Sequence, residues 1–296
     1  MQQPLNRFLL IQPAWLCTVL FIPLLYALGW LAAVPLTLLG LPADQVSLTG
    51  TLLSFVLFLL VMPQWAALRW ASEQPWAALG ICRANPKAQP GAVAALLKGL
   101  LMATGLLTVV TSVVLIKGSG DWRGEMDGTL VANAVLLCIG VGFAEELIFR
   151  GWLWAELNRM IGSHRGALAQ ASIFSLVHTR FNLGLAAMSG LLVGLFLLGM
   201  VLAKQRQADR GSLWGCIGLH GGLVAGWFLL QNGLLQLSPN APSWLVGPGG
   251  NAPNPMGGAL GLISLLILLL IQRTAVAKAD RPATGARNAS SSEATP

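Results

Sequence analysis

The chain has 296 residues, of which 55% are hydrophobic and only 10% charged, with a net charge of +7. A soluble domain carries about 25% charged residues, so a water-soluble globular fold is excluded, and the long, non-alternating apolar runs exclude an outer-membrane barrel. The basic residues are spread through loops as orientation signals would be, which gives no argument for nucleic acid as a partner.

Hydropathy predicts an all-α polytopic membrane protein with about eight transmembrane helices, each needing roughly 20 apolar residues. The spans fall near 12–39, 50–70, 91–116, 129–157, 165–181, 184–203, 212–235 and 257–272. The first apolar run begins near Phe8 and is too long for a signal-peptide core, with no clean cleavage site at its end. It reads as a retained span kinked at Pro23 and Pro35. The fifth span is short, as a tilted or partly re-entrant helix would be.

Four stretches follow: N-terminal helices with an interfacial segment over 1–128, a core over 129–235, a loop and last helix over 236–272, and a disordered cytoplasmic tail over 273–296. The tail is polar and rich in Ser, Ala and Thr. Lys and Arg concentrate in alternate loops. Arg7, Arg69, Arg83, Lys87, Arg159, Arg165, Lys204, Arg206, Arg210, Arg273, Lys278, Arg281 and Arg287 lie on one side, against Lys117, Arg123 and Arg180 on the other. The positive-inside rule then places both termini in the cytoplasm. Lys98, near a span's end, is expected to snorkel, and Trp65, Trp70, Trp76 and Trp152 are expected as interface anchors. Cys17, Cys82, Cys138 and Cys216 are scattered, with neither a disulfide framework nor a metal-site spacing.

The chemistry concentrates in the fourth span, which contains Phe143-Ala-Glu-Glu-Leu-Ile-Phe-Arg150. Adjacent carboxylates in a membrane span cost roughly 2.5–3.5 kcal/mol each on insertion scales, so they face a protein interior or a wet cavity and mark a functional site. Glu146 and Arg150 are four residues apart and can pair along one helix face. Glu145 is rotated by about 100°, which leaves it free to meet His178 from the fifth span. Phe174, four residues before His178, can pack beside the imidazole. Counting roughly 1.5 Å per residue from the span ends puts Glu145, His178 and His220 at similar depth. A buried glutamate beside a histidine can act as general base on water, and His220 can orient that water or bind an oxyanion. Glu156, near the end of the fourth helix, extends the polar path in a role left open. His164 is read as an interfacial loop residue. Three other uses of these side chains stand beside this one: a structural ion network, a proton relay in a proton-coupled transporter, and close helix packing around His220.

The ordered pattern Glu-Glu-x-x-x-Arg, then Phe-x-x-x-His, then His in Gly218-Leu-His-Gly-Gly resembles the CPBP family of intramembrane proteases. That family comprises CAAX-type prenyl-protein endopeptidases and bacteriocin-processing enzymes, and the resemblance covers roughly 129–235, implying a CPBP-type core bundle. It implies that Glu145, Glu146, His178 and His220 are catalytic, with Glu145 and His178 activating water and Glu146 forming a supporting ion pair with Arg150, and that Phe174 supports the second motif. It implies an intramembrane endopeptidase acting on a membrane-embedded or lipidated protein or peptide, within the lipid bilayer of a bacterial inner or thylakoid membrane. The third motif often carries Asn or Asp four residues after its histidine; here the position is Val224. This departure favours the alternative of a non-proteolytic scaffold or assembly factor for membrane proteins. No cofactor is favoured, because the spacing lacks a local zinc signature. The alternative is a divalent metal such as zinc on Glu145, His178 and His220, the ligand count of a catalytic site.

Overall fold

The computed structural model describes residues 2–83, 85, 89–250 and 253–279. Lys87 and the tail beyond 279, with Arg281 and Arg287, lie outside the described residues. In chain order the helices are α1 (Gln2–Leu9), α2 (Ala14–Ala33), α3 (Val46–Trp70), α4 (Pro75–Leu79), α5 (Ala92–Ile116), α6 (Gly128–Glu146), α7 (Trp154–Ile161), α8 (Ser163–Val177), α9 (Leu185–Ala208), α10 (Trp214–Leu229), α11 (Ser243–Val246) and α12 (Ala259–Ala279). The fold is all-α and polytopic. Five stretches are long and apolar enough to cross a membrane: Ala14–Leu39, Ala43–Trp70, Ala92–Ile116, Gly128–Ile161 and Leu185–Ala208. The other three expected spans are also helical but shorter or interrupted, as α8, α10 and α12. The outward faces carry exposed Val19, Leu31, Leu101, Leu136, Ile139 and Ile267, the surface an integral membrane protein offers to lipid.

Local chemistry accounts for the interruptions. α2 runs through Pro23 and tightens into a 3₁₀ turn, Val34–Leu39, with Pro35 in its first positions, where a missing N–H costs nothing. The fourth span is continuous, but α6 passes into α7 through a π-helical turn, Leu147–Leu153, immediately after the two glutamates. A second π-helical turn, Leu230–Leu234, closes α10. Such turns occur mostly as single insertions at functional sites. A two-stranded antiparallel ribbon, β1 (Gly120–Trp122) with β2 (Leu235–Leu237), ties the exit of α5 to the exit of α10 in register Asp121↔Gln236. Hydropathy did not anticipate these strands, because three residues make no periodic signal.

α10 lies between α5 and α6, and glycines set its approach to both. A Cβ on Gly218 would run into the Leu96 carbonyl of α5, and one on Gly221 into the Cys138 carbonyl of α6. From the α6 side, a Cβ on Gly142 would sit 2.8 Å from Gly221 Cα. Small residues allow backbones to meet in lipid; here they bring His220, one residue before Gly221, against the carboxylates of α6.

The N-terminal helices form a second apolar cluster against the π-helical turn. Its centre is aromatic. Phe21 and Trp65 have ring centroids 4.4 Å apart, and Trp65 and Trp152 meet edge-to-face at 5.3 Å. Trp65, Trp70 and Trp152 are therefore core residues rather than interface anchors. Trp65 and Trp70 hold their indole N–H groups on a buried carboxylate, Glu156, which removes the polar handle that would have drawn them to the interface. Lys98 does not simply snorkel: its ammonium pairs with Asp209 at 3.1 Å, with the side chain about half exposed.

Candidate active site

α6, α8 and α10 bring together all six residues singled out from sequence: Glu145, Glu146, Arg150, Phe174, His178 and His220. Glu145 and Glu146 occupy the last turn of α6, and the π-helical turn then carries Arg150. Successive helical residues are about 100° apart, and the two carboxylates separate accordingly. Glu146 turns into the bundle, where its side chain and that of Arg150 are both fully buried and paired at 2.8 Å through Nη1 and Oε1. Glu145 keeps 27% of its side chain exposed and faces two imidazoles.

His178 caps the C-terminal end of α8. Its Nδ1 lies 2.6 Å from the Phe174 carbonyl, an acceptor only, so Nδ1 is the protonated nitrogen and Nε2 is left facing Glu145 Oε2 at 3.5 Å. His220 is arranged alike on α10. Its Nδ1 is 2.8 Å from Glu146 Oε1, again an acceptor, and its Nε2 lies 3.8 Å from Glu145 Oε2. Sequence reasoning did not reach this His220–Glu146 contact; it assigned Glu146 to Arg150 alone. No signal in the chain gives the rotation of α10 about its axis, which the glycine contacts set.

The Phe174 ring lies under the whole group. Its centroid is 4.7 Å from that of His178 and 5.7 Å from that of His220, and Arg150 Cζ stands 4.1 Å above it. The ring excludes water from the Glu146–Arg150 pair and stacks with the guanidinium. The site is therefore graded: a dry ion pair below, His220 at the boundary, and Glu145 and His178 at the open side, where His178 is 33% exposed. Beyond His178 the chain leaves α8 after only 15 residues, about 22 Å of rise, so the short fifth span ends part-way along its neighbours. Phe181 and Leu185 in and after this turn are almost fully exposed, and α8 packs on α7 and α9.

Two bare imidazole nitrogens facing one carboxylate, each ring oriented by an acceptor on its other nitrogen, are the donors a zinc ion would take. Glu145, His178 and His220 are therefore the residues that would hold such an ion, with Glu145 Oε2 3.5 and 3.8 Å from the two Nε2 atoms.

Glu156 does not extend a polar path towards this site. Its carboxylate accepts from Trp65 Nε1 at 2.8 Å, Trp70 Nε1 at 2.6 Å, Arg69 Nη2 at 2.7 Å and Thr18 Oγ1 at 3.1 Å. It is a buried anchor that fastens α2 and α3 to α7. His164 is exposed at the start of α8, far in sequence and role from the other two histidines. Val224 stands one turn after His220 on α10 and is half-buried.

Residues 127–226 match the family model described as type II CAAX prenyl endopeptidase Rce1-like. Residues 3–74, which hold α1 to α3, match a domain of unknown function, DUF8676. No curated protein and no solved structure matches the chain.

Proposed function

We propose that this chain, whose 127–226 core belongs to the CPBP family of type II CAAX prenyl endopeptidases, is an intramembrane endopeptidase that hydrolyses a peptide bond of a membrane-embedded or lipidated substrate. The observation that carries the reading is the position of Glu145 between the Nε2 atoms of His178 and His220 at the half-open end of an otherwise dry site. A carboxylate placed there can take a proton from water; one locked in an ion pair, like Glu146, cannot.

The separations of 3.5 and 3.8 Å are long for direct hydrogen bonds and suit a water that contacts Glu145 and His178 from the open side. Glu145 accepts one proton of that water as its oxygen bonds to the scissile carbonyl carbon. Negative charge then develops on the carbonyl oxygen. His220 in its imidazolium form donates from Nε2 to that oxygen, and Glu146 beneath it compensates the charge on the ring. When the C–N bond breaks, the proton held by Glu145 passes to the leaving amine. Arg150 holds the Glu146 carboxylate in place. The distribution of Lys and Arg supports a site reached from the cytoplasmic side, with both termini cytoplasmic.

A second reading, a non-proteolytic scaffold for membrane proteins, is favoured by Val224, which leaves α10 without a second donor for the oxyanion. One experiment separates the two. Membrane-protein termini are profiled in cells expressing wild-type protein or Glu145→Gln at matched levels. New termini seen only with wild type support proteolysis and name the substrate. Identical termini, with a phenotype rescued equally by both versions, refute it in favour of the scaffold.

A further inference from the structure

Arg206 was grouped by sequence with the loop charges Lys204 and Arg210, but it is not a loop residue. It lies in the last turn of α9 and is partly buried. Its guanidinium donates to main-chain carbonyls of three separate segments: Nη1 to Arg150 in the π-helical turn, Nε to Gly211 between α9 and α10 at 3.2 Å, and Nη2 to Leu79 and Ala78 at the end of α4 at 3.3 and 3.4 Å. The guanidinium carbon sits 5.5 Å from the Trp154 ring centroid. No carboxylate pairs with it among the described residues.

A cation held away from water by carbonyls alone is costly, and an apolar side chain would fill the same space at lower free-energy cost. What the guanidinium adds is geometry. The π-helical turn widens the helix and turns carbonyls out of its ladder, and such freed groups must find partners inside a membrane protein. Arg206 supplies one to the carbonyl of the residue whose side chain holds Glu146. Its second anchor, Gly211, opens the turn from which α10 departs towards His220. That turn is locked further by the Leu213 N–H on the Gly80 carbonyl at 2.9 Å and by Trp214 Nε1 on the Ile81 carbonyl at 2.9 Å. Arg206 therefore joins the helix that carries the carboxylates to the helix that carries the histidine.

We propose that Arg206 is a positioning residue for the site: it fixes the π-helical turn against the start of α10 so that Arg150, Glu146 and His220 form one connected chain of contacts. The role rests on the reading of the site given above, but it is tested without substrate and so can fail while proteolysis stands. The protein has only three histidines, so ¹⁵N-histidine labelling of the full chain in lipid nanodiscs gives three resolvable imidazoles, with His164→Gln assigning the exposed one. In the wild type, His220 is expected to show a protected Nδ1–H. Arg206→Met, which keeps the aliphatic volume and removes every donor, loses that protected signal while the signals of His164 and His178 persist. Arg206→Lys, which cannot span Arg150 and Gly211 at once, retains it in part. If Arg206→Met does not fold, Arg206→Lys decides. A His220 signal identical to wild type in a folded variant overturns the proposal, as does loss of all three histidine signals together, which would mark a general structural role.

Discussion

The buried pair of Glu146 and Arg150 makes the sharpest quantitative prediction. Both side chains are fully buried and joined by one bond of 2.8 Å. Removing one partner of such a pair costs about 3–5 kcal/mol, because the other charge is left uncompensated. Two features place Arg150→Met at the lower end. Glu146 keeps His220 at 2.8 Å as a second partner, and the Arg150 Nε and Nη2 atoms have no hydrogen-bond partner, so the wild-type pair is under-satisfied to begin with. The lost stack on Phe174 adds about 1 kcal/mol to the loss. We expect about 4 kcal/mol for Arg150→Met and a smaller loss for the double variant Glu146→Gln/Arg150→Met, in which neither charge of the pair remains. Reversible unfolding in mixed micelles, run as a double-mutant cycle, measures the coupling. Strictly additive single and double variants, or an Arg150→Met protein as stable as wild type, would refute the argument that this pair is dry and mutually dependent.

Four further outcomes follow from the same geometry. Glu145→Gln should lower cleavage by about 10²–10⁴-fold, the usual contribution of a positioned general base, with little loss of thermal stability, since glutamine keeps the shape of a side chain that Arg150 does not pair with; cleavage of the substrate named by terminus profiling is the assay. Glu156→Ala leaves the Trp65 and Trp70 indole N–H groups unpaired and Arg69 without its carboxylate and should destabilise the joint between α2–α3 and α7 by about 3–5 kcal/mol, read as earlier protease nicking of the N-terminal helices, while Lys98→Ala at a half-exposed pair should cost no more than about 1 kcal/mol. Gly221→Val should separate α10 from α6 and abolish cleavage, whereas Gly105→Ala, where a Cβ meets nothing within 4 Å, should be silent; equal behaviour of the two would sink the account of α10 packing. Val224→Asn should raise cleavage by up to about 10²-fold if an oxyanion donor is what α10 lacks, and an unchanged rate would remove Val224 from the argument.

Much of the site was legible because its ingredients are rare in this chemistry. A membrane span has few reasons to hold Glu145, Glu146 and Arg150 together, and the four-residue spacings of Glu146–Arg150 and Phe174–His178 follow from helix geometry once the segments are read as helices. Hydropathy alone placed the long apolar spans for the same reason: crossing lipid demands length and apolarity, which composition records directly. The misreadings lie where side chains choose between neighbours. Trp65, Trp70 and Trp152 are the residue type that anchors an interface, yet they are core residues, because Glu156 offers two of them a buried acceptor. Arg206 resembles a loop charge, yet it turns inward to main-chain carbonyls, one of them in a π-helical turn that no periodicity announces. The contact of His220 with Glu146 depends on how α10 is rotated between α5 and α6. Sequence by itself determined which residues must avoid lipid and how far apart they sit along one helix. Tertiary structure decided which of them meet, because the rotation and approach of packed helices come from close contacts such as Gly221 on Cys138, made between residues distant in the chain.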